Sequence, residues 1–341
     1  MVISLKKFIK PVLLILALSS ISVAILAIST KKSSILLGGF IHSHNHPDTA
    51  YRPVFNENEE KDYEERFQRP SKQPALNVKY RFRIPDDFDA PKPPYISPGY
   101  PATYDSPRDV IYAYYSILKE SSNMSGYHGG CGTIGLDRIP YPFAYELFST
   151  NKKQQLSLDE FINSFSGIGH ITLLKLYPAY KPTGTPDHLQ YFMVEIEVIT
   201  GPPYNQQKLS PSYFAYYYGL ITTTYTTADG WKIQNIDYIP EDFLCAPYHH
   251  WNWDAKYVVE IIYNDWYGLI DEIERIEKKD AIIHVYAKGK NNKYRFDFIR
   301  LTNGYDILLH EYIQEKDQWK EVNLLKEEHQ NYKFSAQLFK G

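Results

Sequence analysis

The chain has 341 residues, a formal net charge of −3 and 43% hydrophobic residues, enough apolar material for one or two globular domains. It contains no block of clustered Lys and Arg, which argues against nucleic acid as a main partner, because phosphate backbones are bound by such clusters. The chain contains 31 tyrosines among its 341 residues, an unusually large number. Tyrosine rings suit half-buried faces of β-sheets. The composition favours a β-rich protein, and stacking of flat ligands on the rings is the alternative interpretation.

The N-terminus carries a targeting signal. Lysines precede an uncharged, mostly apolar run from Pro11 to Thr30, which as a helix would reach roughly 30 Å and cross the hydrocarbon core of a bilayer. Lysines before such a run favour a cytoplasmic N-terminus. Residues 1–32 are therefore predicted as a membrane anchor or uncleaved signal, in a single-pass protein whose C-terminal part lies outside the cytoplasm. Cleavage near Ala27 would instead give a secreted protein.

Residues 33–104 are rich in proline and charge and show no sustained apolar period. Such a composition buries too little surface to offset the entropy lost on ordering, and its prolines favour extended chain. This segment is predicted as an extracytoplasmic linker.

Residues 105–245 are predicted as an α+β domain. Ser106 and Pro107 are typical of a helix start, and Ser157 with Glu160 forms a capping box that opens a further helix. Runs rich in β-branched and aromatic residues follow and predict antiparallel strands, the last two joined at Asp229-Gly230.

Residues 250–341 are predicted as a second, smaller α+β domain. Apolar residues at helical spacing predict one long helix from Asp254 to about Lys279. Four strand-like runs come next, and Asn303-Gly304 between two of them indicates a hairpin.

Helices followed by a curved antiparallel sheet, over about 140 residues at 105–243, resemble the NTF2-like cone fold. The resemblance is architectural and rests on no diagnostic motif. It implies helices packed into the concave face of the sheet and a pocket inside the cone. A membrane span, a spacer and NTF2-like outer domains are also similar to scaffold subunits of bacterial conjugation and secretion machines, although a fold does not determine function.

Candidate ligand-binding residues are tyrosines and carboxylates expected around the cone pocket. Glu195 and Glu197 alternate with apolar neighbours on one strand, so their face is either wet or lines a cavity, with the two side chains about 7 Å apart. Paired carboxylates at that distance can act as acid and base, and a solvated sheet face is the simpler interpretation. The candidates are Tyr114, Tyr191, Glu195, Glu197, Tyr216 and Tyr218.

Cys131 and Cys245 are the two cysteines. Outside the cytoplasm they can form a disulfide, which is the first interpretation; two unpaired thiols remain open, as does a nucleophilic Cys131 with His128 as base. The histidines of "HSHNHP" and the pair His249-His250 lack the fixed additional ligands of a metal site. No metal, cofactor or catalytic residue is predicted.

The predicted function is that of a membrane-anchored, extracytoplasmic binding or scaffolding protein without catalytic activity, whose partners are the membrane and other envelope proteins. The alternative is binding of a small molecule or glycan in the cone pocket, and an enzyme using the same cavity is the third hypothesis. A scaffold should expose an apolar patch or a grooved joint for its partner.

Overall fold

The structure is a computed structural model that describes residues 35–42, 75–76, 79–87, 93–124, 136–202, 212–243 and 254–339. The chain divides into two compact units, Met1–Ser34 and Ile35–Gly341, and all described residues belong to the second. Within these ranges no helix has both the length and the apolar character needed to cross a bilayer. The predicted anchor over residues 1–32 lies outside them.

Sheet 1 has six strands in the order β1-β2-β6-β5-β4-β3. They are β1 (Ile35–Leu36), β2 (Gly39–Ile41), β3 (Ile168–Pro178), β4 (Leu189–Thr200), β5 (Tyr213–Thr226) and β6 (Gly230–Pro240). All neighbours pair antiparallel except β2, which runs parallel to β6. A short turn joins β5 to β6 in this meander, and Gly230 at φ +66° supplies the left-handed residue that closes the hairpin.

Four helices cover one face of sheet 1: α1 (Pro107–Leu118), α2 (Tyr141–Tyr145), α3 (Thr150–Gln155) and α4 (Leu158–Asn163). Helix α1 begins after Ser106 with Pro107 in its first turn, and eight of its residues are buried. The predicted capping box is present, since the Ser157 side chain accepts from the Glu160 backbone and the Glu160 side chain accepts from the Ser157 backbone.

Sheet 2 is an antiparallel meander in the order β11-β10-β9-β8-β7. Its strands are β7 (Glu272–Lys279), β8 (Ile282–Lys288), β9 (Lys293–Arg300), β10 (Asp306–Glu315) and β11 (Gln318–Val322). Helix α5 (Ala255–Val258), which continues with π-type winding over Val259–Trp266, packs on one face of this sheet, and a 3-10 helix (Glu327–Tyr332) follows β11.

The two sheets pack against each other through the faces that carry no helix. On β4, for example, Val194 belongs to the core beneath α1–α4, whereas its neighbour Met193 points to a separate core shared with Ile299 and Leu309 of sheet 2. The described part of the chain is therefore an α+β structure of four successive layers: α1–α4, sheet 1, sheet 2 and α5. We call the contact between the two sheets the joint.

Part of the segment predicted as a linker belongs to the fold. Leu37 is fully buried, and its amide and that of Gly38 donate to the backbone and side chain of Ser164. Phe82 and Tyr104 are also buried in the core beneath α1–α4. The prediction missed these contacts because apolar residues spaced far apart in a proline-rich segment show no period, although each one fills a place in a core built by other elements.

The predicted helix from Asp254 to about Lys279 is wrong in its second half. The helix stops before Gly268, which adopts φ +59°, and β7 follows at Glu272. A bulge between Ile273 and Arg275 lets Ile273 and Ile276 pair opposite Ala287 and Val285. Two residues three apart thus lie on one face of a strand, and this spacing is the one typical of a helix.

Candidate functional site

The space beneath α1–α4, where the predicted cone pocket lies, is packed with aromatic rings. Tyr114 is fully buried, with its ring centroid 5.6 Å from that of Phe148 and 6.5 Å from that of Phe161. Phe161 is in turn 5.0 Å from Phe165. Tyr114 is therefore a core residue, separated by sheet 1 from the other five predicted ligand-binding residues, whose side chains lie on the opposite face.

Glu195 does not lie on a wet face. Its side chain is fully buried in the joint, where Lys175 forms an ion pair with it and the backbone amide of Thr302 donates to its Oε1 at 2.7 Å. Lys175 and Glu195 face each other across β3 and β4. The expectation of solvent was wrong because the β9–β10 turn of sheet 2 covers this part of the strand.

Glu241 joins the same cluster. Its Oε2 accepts from the backbone amide of Asn303 at 3.1 Å, while its buried Oε1 has no partner among the described residues. Burial raises the pKa of the Glu241 carboxyl well above its usual value, and the neighbouring Glu195 raises it further, more than Lys175 lowers it. The shift favours the protonated form of Glu241 beside the ion pair of Lys175 and Glu195.

The remaining predicted residues lie on the same face of sheet 1 as Glu195. The hydroxyl of Tyr216 donates to Glu197 Oε2 at 2.7 Å across β4 and β5. Tyr218 is buried against Phe334, and Tyr191 is half-buried beside the same core. The structure therefore brings Tyr191, Glu195, Glu197, Tyr216 and Tyr218 to one face of sheet 1, where sheet 2 and the C-terminal segment cover much of it.

A groove of about 290 Å³ opens at the edge of the joint. We call it the joint groove; its lining residues are Tyr177, Pro178, Lys279, Asp280, Ile282, His284, Asp297, Leu309 and His310. His284, Asp297 and His310 lie in one row across β8, β9 and β10, because Asp297 is the register partner of both histidines. The strand order of sheet 2 alone brings this polar row together.

Each histidine of the joint groove bonds a carboxylate. Nδ1 of His284 donates to Asp297 Oδ1 at 2.7 Å, and Nε2 is the other hydrogen-bonding nitrogen of that ring. Asp297 also lies 3.0 Å from Arg295 Nε. This arrangement orients the ring and leaves one nitrogen of it for hydrogen bonding.

His310 connects the two sheets. Its Nδ1 lies 2.6 Å from Glu321 Oε1 and its Nε2 3.1 Å from the carbonyl oxygen of Pro178 at the end of β3. Both partners are acceptors, so both bonds form together only when the ring carries both protons. Burial would raise the pKa of Glu321, but the hydrogen bond and charge of His310 lower it below its usual value.

The joint groove presents hydrogen-bond donors and acceptors, and both positive and negative charges, beside apolar side chains. This combination is suited to binding a polar segment of a partner. Within the described residues, no group of three or more His, Cys, Asp and Glu side chains is placed to hold a metal. No motif in the sequence indicates this row. Its sequence signal is one polar residue on each of three successive strands, at positions that face the joint. The strand register is what brings these three residues together.

Cys131 and Cys245 lie outside the described residues, as do His128 and the pair His249-His250. The predicted disulfide and its alternatives therefore stay predictions.

No protein-family model matches the chain, and a search of curated proteins finds no match. Among solved structures, one similar chain is described as an "Ntf2 like protein involved in plasmid conjugation". It is 11% identical, the match covers 53% of this chain and 85% of that chain, and the TM-score is 0.19. A TM-score this low carries no argument about fold or function, so the α+β architecture stands on the strand order and packing above.

Proposed function

We propose that this chain is a membrane-anchored, extracytoplasmic binding or scaffolding protein without catalytic activity, and that residues 105–243 are an NTF2-like domain. The packing of α1–α4 on one face of an antiparallel meander supports the NTF2-like assignment. The apolar run from Pro11 to Thr30 supports the anchor. If the chain is anchored in this way, its partners are the membrane and other envelope proteins.

The observation that carries the binding function is the joint groove. It lies between two sheets that share an apolar core and are joined by hydrogen bonds from Thr302 to Glu195 and from His310 to the carbonyl of Pro178, so its walls are preformed. Lys279 and Asp280 are exposed at its rim, and His284 offers a hydrogen-bonding nitrogen inside. A preformed groove of mixed charge loses little entropy when a partner's segment binds in it.

Site-specific photo-crosslinking tests this proposal in native membranes. A photoreactive phenylalanine at Lys279, which lines the groove, should give a discrete crosslinked product. The same group at the neighbouring exposed Lys278, which does not line the groove, is the matched control and should give little. Replacing His284 by Ala in the Lys279 variant should reduce the product. Equal yields at both positions would contradict the assignment of the groove.

Protease treatment of intact and of lysed cells tests the location. The chain should be cleaved in both cases if its C-terminal part lies outside the cytoplasm, and only after lysis if it lies inside. The protease experiment measures where the chain lies, and the crosslinking experiment measures what contacts the joint groove. The predicted location can therefore be contradicted without contradicting the assignment of the groove.

A further inference from the structure

The strand β7 is the outermost strand of sheet 2, and its outer edge is open. It pairs with β8 on one side, and no other described strand lies beside it. Seven of its eight residues are exposed, and the eighth, Ile273, is half-buried against the core of α5. An unpaired edge of this length presents a row of backbone N–H and C=O groups to which a further strand can bond.

The charges along β7 are separated by sign. The strand begins with the acidic Glu272 and Glu274 and ends with the basic Lys278 and Lys279. In an antiparallel pair of identical strands, the start of each strand lies beside the end of the other. Two copies of β7 therefore bring their acidic ends against each other's basic ends, whereas a parallel pair in register would set like charges side by side.

The middle of the strand selects one register for such a pair. With a two-fold axis at Ile276, Arg275 of each copy lies opposite Glu277 of the other, and the two Ile276 side chains meet. A register one residue later would place Arg275 opposite Lys278, and a register one residue earlier would place Glu274 opposite Glu277. Like charges directly opposite each other destabilise a strand pair, so both shifts are disfavoured.

The side chains at this centre are placed for the contact. Arg275 lies over the Tyr286 ring, 3.9 Å from its centroid, and its Nε is 2.8 Å from Glu277 Oε1 of the same chain. The two charged groups thus share one face of the strand. Ile276 is 45% exposed although it lies opposite Val285 of β8, and a second copy of β7 would cover it.

Lysines and bulges often protect edge strands from pairing. In β7 the bulge precedes Arg275, and the register from there to Lys279 is regular. The lysines at its end find acidic partners on a second copy, whereas a strand of uniform charge would meet like charge at one end of β7. These features therefore discriminate among partners, and they favour the chain itself.

We propose that β7 pairs antiparallel with β7 of a second copy of this chain, about a two-fold axis at Ile276. The two copies of sheet 2 then form one continuous sheet. A single strand edge is a small contact, so the association is reversible and depends on concentration. It is independent of the joint groove and of the membrane anchor.

Disulfide crosslinking of the purified full-length chain tests the proposal. Under mild oxidation, Ile276→Cys should give a product of twice the chain's mass, in which mass spectrometry finds the two introduced cysteines joined. Partners at the centre of an antiparallel pair have Cα atoms about 4.5–5.5 Å apart, within reach of a disulfide. The wild type, which contains Cys131 and Cys245, gives the background.

Glu272→Cys is the matched control, at an exposed position of the same strand. In the proposed register the two copies of residue 272 lie roughly 27 Å apart along the strands, so this variant should give little product. Equal yields from the two variants, or no product joined at position 276, would overturn the proposal and leave the edge to a different strand or to none.

Charge reversal tests the register. In the Ile276→Cys chain, Glu277→Arg places like charges opposite each other twice and should lower the yield by at least about fivefold. The swap Arg275→Glu/Glu277→Arg should restore it, since each pair again has opposite charges. All three positions are exposed, so the variants should fold as the wild type does. A swap that yields no more than Glu277→Arg alone would contradict this register.

Crosslinks at this edge are told apart from those of the joint groove by mass. A product that joins two copies has twice the mass of the chain, and only a product with a different protein counts for the groove.

Discussion

The two faces of sheet 1 are built from different kinds of contact. The face beneath α1–α4 is a core of aromatic and aliphatic side chains, with Phe161 in contact with several other rings. The joint on the opposite face combines apolar residues with buried charged groups, namely the ion pair of Lys175 with Glu195 and the neighbouring Glu241. Apolar packing thus stabilises one side of the sheet, whereas ion pairs and hydrogen bonds add to the apolar contacts on the other side.

This difference matters because the two kinds of contact fail in different ways. Truncation in an apolar core loses transfer free energy and leaves a cavity, and neither effect depends on pH. Removing one member of a buried ion pair leaves an uncompensated charge, whose cost depends on protonation. Stability of the ring-packed face should therefore be independent of pH, whereas that of the joint should vary with it.

The largest effect is expected in the ring-packed core. Phe161→Ala should lower the free energy of unfolding by about 3–5 kcal/mol, since Phe161 is fully buried and packs against several rings. Chemical denaturation measures the change, and the loss should be the same at pH 5 and pH 8. Phe214→Ala, at a ring that is 59% exposed, is the control and should cost less than about 0.5 kcal/mol. Similar losses for the two variants would contradict the assignment of this core.

The next effect concerns the ion pair of Lys333 and Glu311. Lys333 Nζ donates to Glu311 Oε2 at 2.7 Å, and both side chains are fully buried. Lys333→Met should therefore cost about 3 kcal/mol, because it leaves a buried carboxylate without its cation. The double variant Lys333→Met/Glu311→Gln should recover part of this loss, since the neutral amide still accepts from Tyr263. A double variant less stable than the single one would show that the charge is not the cause.

The smallest effect is the pH dependence set by Glu241. Because its pKa is raised in the folded state, the folded chain holds a proton that the unfolded chain has already released at the same pH. The free energy of unfolding should therefore fall as pH rises from the ordinary carboxyl pKa toward the raised one, by at most about 1.4 kcal/mol per pH unit. Glu241→Gln should flatten this dependence, and denaturation between pH 4 and pH 8 measures it.

The exposed Glu274 supplies the control for this measurement. Glu274→Gln should leave the slope unchanged, because its ion pair with Lys293 lies at the surface, with a separation of 3.8 Å. If Glu241→Gln kept the wild-type slope, the proton would reside elsewhere in the joint.

Local signals in the sequence predicted much of the secondary structure. The start of α1 at Ser106-Pro107, the capping box at Ser157 and the strands β3–β6 and β8–β11 all follow from capping chemistry, alternation and turn residues. The strand β7 escaped prediction because a bulge gave its apolar residues helical spacing. Residues 35–41 escaped it because their pairing with β6 is a contact across about 200 positions in sequence.

The candidate sites were less accessible to sequence reasoning than the elements that carry them. The residues Glu195, Glu197, Tyr216 and Tyr218 do share one face, as alternation and hairpin pairing imply. The alternation of side chains along a strand shows which residues share a face. It does not show whether solvent, a ligand or a second sheet covers that face. Tyr114 was grouped with them by residue type, although it lies on the other side of the sheet.

The sequence by itself determined where the helices and strands begin, which side chains alternate along each strand, and that an apolar segment precedes a β-rich, tyrosine-rich region. These properties depend on residues a few positions apart. Only the tertiary structure decided that the sheets pack face to face, that Glu195 and Glu241 share a buried cluster, and that His284, Asp297 and His310 form one row. Such juxtapositions depend on strand order and on which faces cover each other, and both are set by the sum of many contacts rather than by any local pattern.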